Sequence, residues 1–146
     1  MIAIRKAASA DIPAVTTLAL LLWPGHDFSE LTEEFTQMVL DSNTVIFLAF
    51  HRETPIGFAQ CQLRRDYVEG TDSSPVGYLE GIYVVDGFRK NGIARGLLTA
   101  CENWAKSKGC TEFASDCESD NLQSLQFHLN VGFREANRII CFTKKL

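Results

Sequence analysis

The first residues with a chemical signature are Arg89-Lys90-Asn91-Gly92-Ile93-Ala94, set between a strong strand candidate and a strong helix candidate. Glycine at 92 lets the chain turn tightly, and Ala94 lets a bulky group approach the backbone. The helix that follows begins with unpaired N–H groups and the positive end of its dipole. Such a turn suits a phosphate or pyrophosphate. Neither GxxxxGK[ST] nor GxGxxG occurs, so it is neither a Walker loop nor a dinucleotide fingerprint. The plain alternative is a strand-to-helix turn that uses glycine for its geometry alone.

Two acids come next. Glu80 lies within Val76–Val85, where period-2 alternation places it on one face with Val76, Tyr78, Ile82 and Val84. A carboxylate on an otherwise apolar face needs a compensating partner. Backbone groups or a nearby arginine would satisfy it structurally, whereas a cleft would leave it facing a ligand. Asp116 ends the run Thr111–Asp116 and reads either as an N-cap or turn residue or as a second acid of the same cleft. The cysteines Cys61, Cys101, Cys110, Cys117 and Cys141 are odd in number and form no CxxC pair. They read as reduced, mostly buried small residues, with no metal site among them and no recognisable Cys-His nucleophile.

The elements that must position these residues follow from periodicity. Met1–Arg5 reads as a short strand. Asp11 offers an N-cap with Pro13 in the first turn, and Ile12, Val15, Leu18 and Leu22 follow at helical spacing until Pro24-Gly25. Ser29–Leu40 fits a second helix through Leu31, Phe35, Met38 and Val39. Thr44–His51 and Ile56–Arg64 form a hairpin, Asp66–Pro75 a polar loop and Val76–Val85 a central strand. A stripe of Ala94, Leu97, Leu98, Cys101, Trp104 and Ala105 marks a helix that stops at Gly109. Thr111–Asp116 is a strand, Ser119–Val131 a helix with Leu122, Leu125 and Leu129 on its apolar face, and Arg138–Lys144 a closing strand. The order β-α-α-β-β-β-α-β-α-β predicts an α/β fold in which helices cover a mixed sheet.

With 146 residues the chain has room for a single domain, 1–146, around one core. A composition 46% hydrophobic and 22% charged is that of a soluble globular protein. No apolar run approaches the ~20 residues of a membrane span, and the start lacks a signal-peptide core. Lys+Arg 14 against Asp+Glu 18 gives a net charge of −4. That balance argues against general nucleic-acid binding and suits a cationic partner better. A cytoplasmic, metal-free protein is expected.

A strand ending Ile82-Tyr83-Val84, then R-x-x-G-x-A opening a helix, then a helix ending in Gly132-Phe133 resembles the GNAT N-acetyltransferases over the whole chain. The resemblance implies a sheet of about six or seven strands with four helices and splayed central strands holding acetyl-CoA. It implies that the backbone of Lys90, Asn91, Gly92, Ile93, Ala94 and Arg95 cradles the pyrophosphate and that Ile82, Tyr83 and Val84 pair with the pantetheine arm. Asn121 would sit near the cofactor, and a backbone amide at or near Val84 would stabilise the thioester oxygen. Many members place a tyrosine four residues before the terminal Gly-Phe to protonate the departing thiolate, where this chain has His128.

A narrower resemblance, carried by Leu22-Trp23-Pro24-Gly25-His26 and by the stretch from Asp66 through Tyr67 to Ile82, is to aminoglycoside 6′-N-acetyltransferases. It implies direct attack of the drug's 6′-amine on acetyl-CoA in a ternary complex. Glu80 and Asp116 would bind the ammonium or take its proton, because an alkyl amine titrates near ~10.4 and arrives charged. Trp23, His26 and Tyr67 would contact the sugar rings. Asn137 stands where the antibiotic enzymes carry an acid, which weakens one ammonium contact. A homodimer sharing C-terminal strands is implied as well. Two rivals remain on the residues alone: an acetyltransferase for protein N-termini, lysines or polyamines, and a CoA-binding module without turnover.

Overall fold

The computed structural model describes residues 1–146. Five strands form one sheet in the order β1 (Ile2–Lys6), β2 (Thr44–His51), β3 (Thr54–Arg64), β4 (Val76–Val84) and β5 (Phe113–Ser115). All neighbours are antiparallel except β5, which runs parallel to β4. Helices α1 (Ile12–Leu22) and α2 (Phe28–Leu40) precede β2, α3 (Ile93–Ser107) connects β4 to β5, and α4 (Leu122–Asn130) follows β5.

Each face of the sheet buries a different set of helices. Val15, Leu18 and Ala19 of α1 and Leu31 and Phe35 of α2 pack on Ile46, Leu48 and Phe58. On the opposite face Leu97, Leu98 and Cys101 of α3 meet Val45, Ala49, Ile56, Ala59 and Leu79. The helical stripes read from spacing are thus the buried ones. Phe35, Phe58, Leu48, Ile56 and Leu97 are fully enclosed, and burying each such side chain contributes roughly 1.5–3 kcal/mol.

Four expectations are corrected. Asp11 does not cap α1: its carboxylate accepts from the Ala8 N–H (2.8 Å) and pairs with Arg5, while Asp27 caps α2 by accepting from the Glu30 N–H (3.0 Å). The even alternation along β4 breaks at Glu80, because Gln60 lies opposite Gly81 and Cys61 opposite Leu79. Glu80 is the extra residue of a β-bulge. Ile82 and Val84 therefore pack toward α3, whereas Val76 and Tyr78 cluster with Val68 elsewhere. Arg138–Lys144 forms no strand, so the sheet has five strands rather than six or seven. Within one chain this segment pairs with no strand, and Ile139, Ile140 and Phe142 stand exposed. The apolar face of α4 is also incomplete, with Leu122 and Leu129 open to solvent.

Candidate active site

The site begins where the sheet divides. β4 and β5 pair only through Gly77–Phe113, Tyr78–Ala114 and Leu79–Ser115, and beyond Leu79 the β5 side of β4 is free. Val85 donates its N–H to the Ile56 carbonyl of β3 (2.9 Å). Backbone alternation then turns Val84 and Ile82 toward the open edge. The Val84 carbonyl is occupied there by Arg89 Nε (2.8 Å), which fastens the following turn to the strand end.

Next along the chain, Lys90 and Gly92 both adopt left-handed backbone, at φ 65° and 77°. Glycine takes this conformation without strain, whereas Lys90 is held in it. No side chain caps the N-terminus of α3, so its leading N–H groups stay free beside the open β4 edge. Arg95 turns away, donating to the Asn130 carbonyl at the end of α4 (3.0 Å). Asn121 caps α4 by accepting from the Ser124 N–H (3.1 Å), which occupies its side-chain oxygen and leaves its NH2 group. A free strand edge ending at uncapped helix N–H groups fits an extended amide-bearing arm that terminates in a pyrophosphate.

At the fork itself Glu80 keeps the face of Tyr78, two residues before it, and the bulge re-phases the strand only from Gly81 onward. Arg64, at the end of β3, holds Glu80 side-on: Nε donates to Oε2 (3.0 Å) and Nη2 to Oε1 (2.9 Å). Its guanidinium carbon lies 3.5 Å from the centre of the Tyr78 ring. The Tyr78 hydroxyl in turn donates to Asp116 Oδ2. Burial, followed by this bond to Asp116, holds the Tyr78 phenol well above its ordinary range. Glu80 and Asp116 are thus joined through Arg64 and Tyr78.

Beside them, His128 Nδ1 lies 2.7 Å from the Ser124 carbonyl and Nε2 lies 2.8 Å from Ser115 Oγ. Since a carbonyl only accepts, Nδ1 carries the hydrogen, and in the neutral ring Nε2 accepts from the Ser115 hydroxyl. His128 is therefore tied to the last residue of β5 at the fork.

Trp23 ends α1 and lays its indole on the backbone of Gly81; a Cβ there would stand 2.7 Å from two ring carbons. His26 sits beside it, ring centres 6.0 Å apart. Tyr67 is 75% exposed on the loop, whose neighbouring residue Val68 anchors it against Val76 and Tyr78. Asn137 donates to Glu69 Oε1 (3.0 Å), and Ala136 packs on Gly70. The structure gathers Glu80, Asp116, Trp23 and His26 around β4, while Tyr67 and Asn137 belong to a loop-and-tail contact.

Arg64, Tyr78 and Ser115 are the members that sequence reasoning did not select. The pairing of Gln62 with Tyr78 and of Arg64 with Val76 is what brings Arg64 over this face, and only a strand register shows it. Three of the five cysteines belong to the core. Cys61, Cys101 and Cys110 are buried, and a hydrogen bond with Cys61 followed by burial holds the Cys101 thiol protonated. No group of three or more His, Cys, Asp or Glu could hold a metal ion, and no helix is long and apolar enough to cross a membrane.

The chain is similar to known proteins over nearly its whole length. Residues 12–133 match the acetyltransferase (GNAT) family. The chain is 42% identical to aminoglycoside N(6′)-acetyltransferase type 1 of Stenotrophomonas maltophilia, covering 98% of this chain and 93% of that protein. It is 37% identical to aminoglycoside N(6′)-acetyltransferase type 1 of Acinetobacter haemolyticus, covering 98% of each. The structure of AAC(6′)-Iy in complex with the bisubstrate analogue CoA-S-monomethyl-acetylneamine superposes with a TM-score of 0.96 at 36% identity, covering 100% of this chain and 99% of that one.

Proposed function

This chain belongs to the acetyltransferase (GNAT) family, and from that premise we infer that its reaction is transfer of the acetyl group of acetyl-CoA to the 6′-amine of aminoglycosides. The observation that carries the reading is the fork after Leu79 and Ser115, with two acids at its mouth and a free strand edge leading to the uncapped α3 N-terminus. Acetyl-CoA supplies an activated thioester, and the chain's residues need only align the amine, accept charge and move a proton.

Ile82, Tyr83 and Val84 offer the edge for the pantetheine arm, and Lys90 through Arg95 offer N–H groups for the pyrophosphate. The Val84 N–H faces the gap as a donor for the thioester oxygen as negative charge develops there. Glu80 and Asp116 draw the protonated amine to the fork and share the handling of its proton. Trp23, His26 and Tyr67 wall the sugar rings, and Asn137, paired with Glu69, is a further substrate contact. Attack is direct, within a ternary complex, with no acyl-enzyme: three of the five thiols are buried, and none of the five stands in a Cys-His pair recognisable in the sequence. Acetylation removes one positive charge, which weakens the drug's hold on ribosomal RNA and produces resistance.

We place this work in one domain, 1–146, in the cytoplasm, where unpaired thiols such as the five here persist. The working unit is a homodimer. Its support is the exposed segment containing Ile139, Ile140 and Phe142 together with the unpaired outer edge of β5.

Thiol release from acetyl-CoA, measured with tobramycin, spermidine or a lysine peptide, tests the reaction. Tobramycin alone is expected to drive release, with one acetyl on the 6′-amine by mass spectrometry. Release with spermidine or peptide only would overturn the substrate and keep the cofactor. Glu80→Gln and Asp116→Asn are each expected to lower kcat/KM for tobramycin by roughly 10²-fold, the lower end of general acid–base contributions. Wild-type rates in both variants would remove the acids from the mechanism.

A further inference from the structure

The side-on clamp on Glu80 has no place in the reaction as derived so far. Arg64 occupies one lone pair of each Glu80 oxygen, through Nε and Nη2. A carboxylate has about four such positions, so one on each oxygen remains for a substrate ammonium. The guanidinium cannot swing freely, because it stacks 3.5 Å over Tyr78, whose hydroxyl is held by Asp116. Arginine suits this task where lysine does not: its planar fork fixes the plane of the carboxylate as well as its charge.

We propose that Arg64 is a positioning residue for amine recognition, which orients Glu80 so that its outer lone pairs meet the aminoglycoside ammonium. The assignment rests on the acetyltransfer reading above. The Glu80 side chain is only 19% exposed, and without the clamp it would lose its partner within a largely enclosed face. It would then rotate toward another donor, and each binding event would have to reorder it. A fixed guanidinium also settles the charge of the fork. Glu80 and Asp116 bring two negative charges and Arg64 one positive, leaving one net negative charge for the reacting ammonium.

The alternative is that Arg64 competes with substrate for Glu80. The two roles predict opposite signs. Steady-state kinetics of the full chain with tobramycin and acetyl-CoA, each varied at saturation of the other, distinguish them. For Arg64→Ala we expect the tobramycin KM to rise about tenfold or more, with the acetyl-CoA KM within about twofold of wild type. Arg64→Lys, which keeps charge without the fork, is expected to recover only part of the loss. In a Glu80→Gln background, Arg64→Ala should add little, because the two residues act as one unit.

A fall in tobramycin KM overturns the proposal in favour of competition. Equal rises in the KM of both substrates, or an Arg64→Ala effect undiminished beside Glu80→Gln, overturn it in favour of a general structural role. Should Arg64→Ala fail to fold, Arg64→Gln and Arg64→Lys carry the same comparison. A wild type that releases no thiol with tobramycin overturns the parent reading and this one together, while an active wild type with unmoved variants overturns this one alone.

Discussion

Tyr78 shows how a residue that never needs to touch substrate governs the fork. Its ring supports Arg64 and its hydroxyl donates to Asp116, so one side chain touches both Asp116 and the partner of Glu80. Because burial and the bond to Asp116 raise its pKa, the folded protein keeps a proton that the unfolded chain releases near ~10. Stability from this source is complete below that pH and declines as pH rises from there toward the folded value. Thermal melts between pH 8 and 11 should therefore fall more steeply for the wild type than for Tyr78→Phe; parallel curves would refute the linkage. At neutral pH the same variant should lose about 1 kcal/mol with the bond to Asp116. The sequence displayed Glu80 and Asp116 because acids on strand faces are conspicuous, but Arg64 sits at a strand end, where a cation is unremarkable. Its importance lies in who sits opposite, which a single strand does not reveal.

Among the elements, the bulge in β4 and the end of α1 build one wall between them. By shifting the phase of β4, the extra residue puts Gly81 rather than Ile82 beneath the indole of Trp23. Glycine is required there by contact, since a Cβ would stand 2.7 Å from two ring carbons. Gly81→Ala should displace the indole and raise the tobramycin KM by about tenfold, with acetyl-CoA binding by calorimetry unchanged. Unchanged tobramycin kinetics would mean that Trp23 does not wall the sugar. Helices and strands were largely legible in the sequence, because the stripe of Leu97, Leu98 and Cys101 and the β-branched run of β2 carry strong periods. The bulge was not, since an alternating run has the same residue types whether or not one position is doubled. Asp11 was misassigned for a related reason: the acid before a helix can cap it or serve the preceding turn, and Arg5 draws it to the latter.

At the scale of the whole molecule, the chain leaves an apolar segment uncovered, and we propose that a second copy covers it. Ile139, Ile140 and Phe142 are 72%, 80% and 91% exposed, and they follow the Glu69–Asn137 contact along the chain. With the continuous apolar run Ile139-Ile140-Cys141-Phe142, Arg138–Lys144 reads as a strand, yet within one chain it finds no ladder, and β5 keeps an unpaired outer edge. An exposed apolar strand and an open sheet edge invite pairing. Addition of this segment to β5 of a partner would supply the sixth strand. The sequence could show the strand and not its location, because strand character is local and pairing is not. Removing residues 138–146 should turn a dimer, measured by light scattering on a sizing column, into a monomer. Since the removed segment abuts Asn137 and the loop bearing Tyr67, the tobramycin KM should rise in the truncated protein while acetyl-CoA binding at the α3 turn persists. A full-length chain that is monomeric at micromolar concentration would refute the shared strand and leave the apolar segment without a partner.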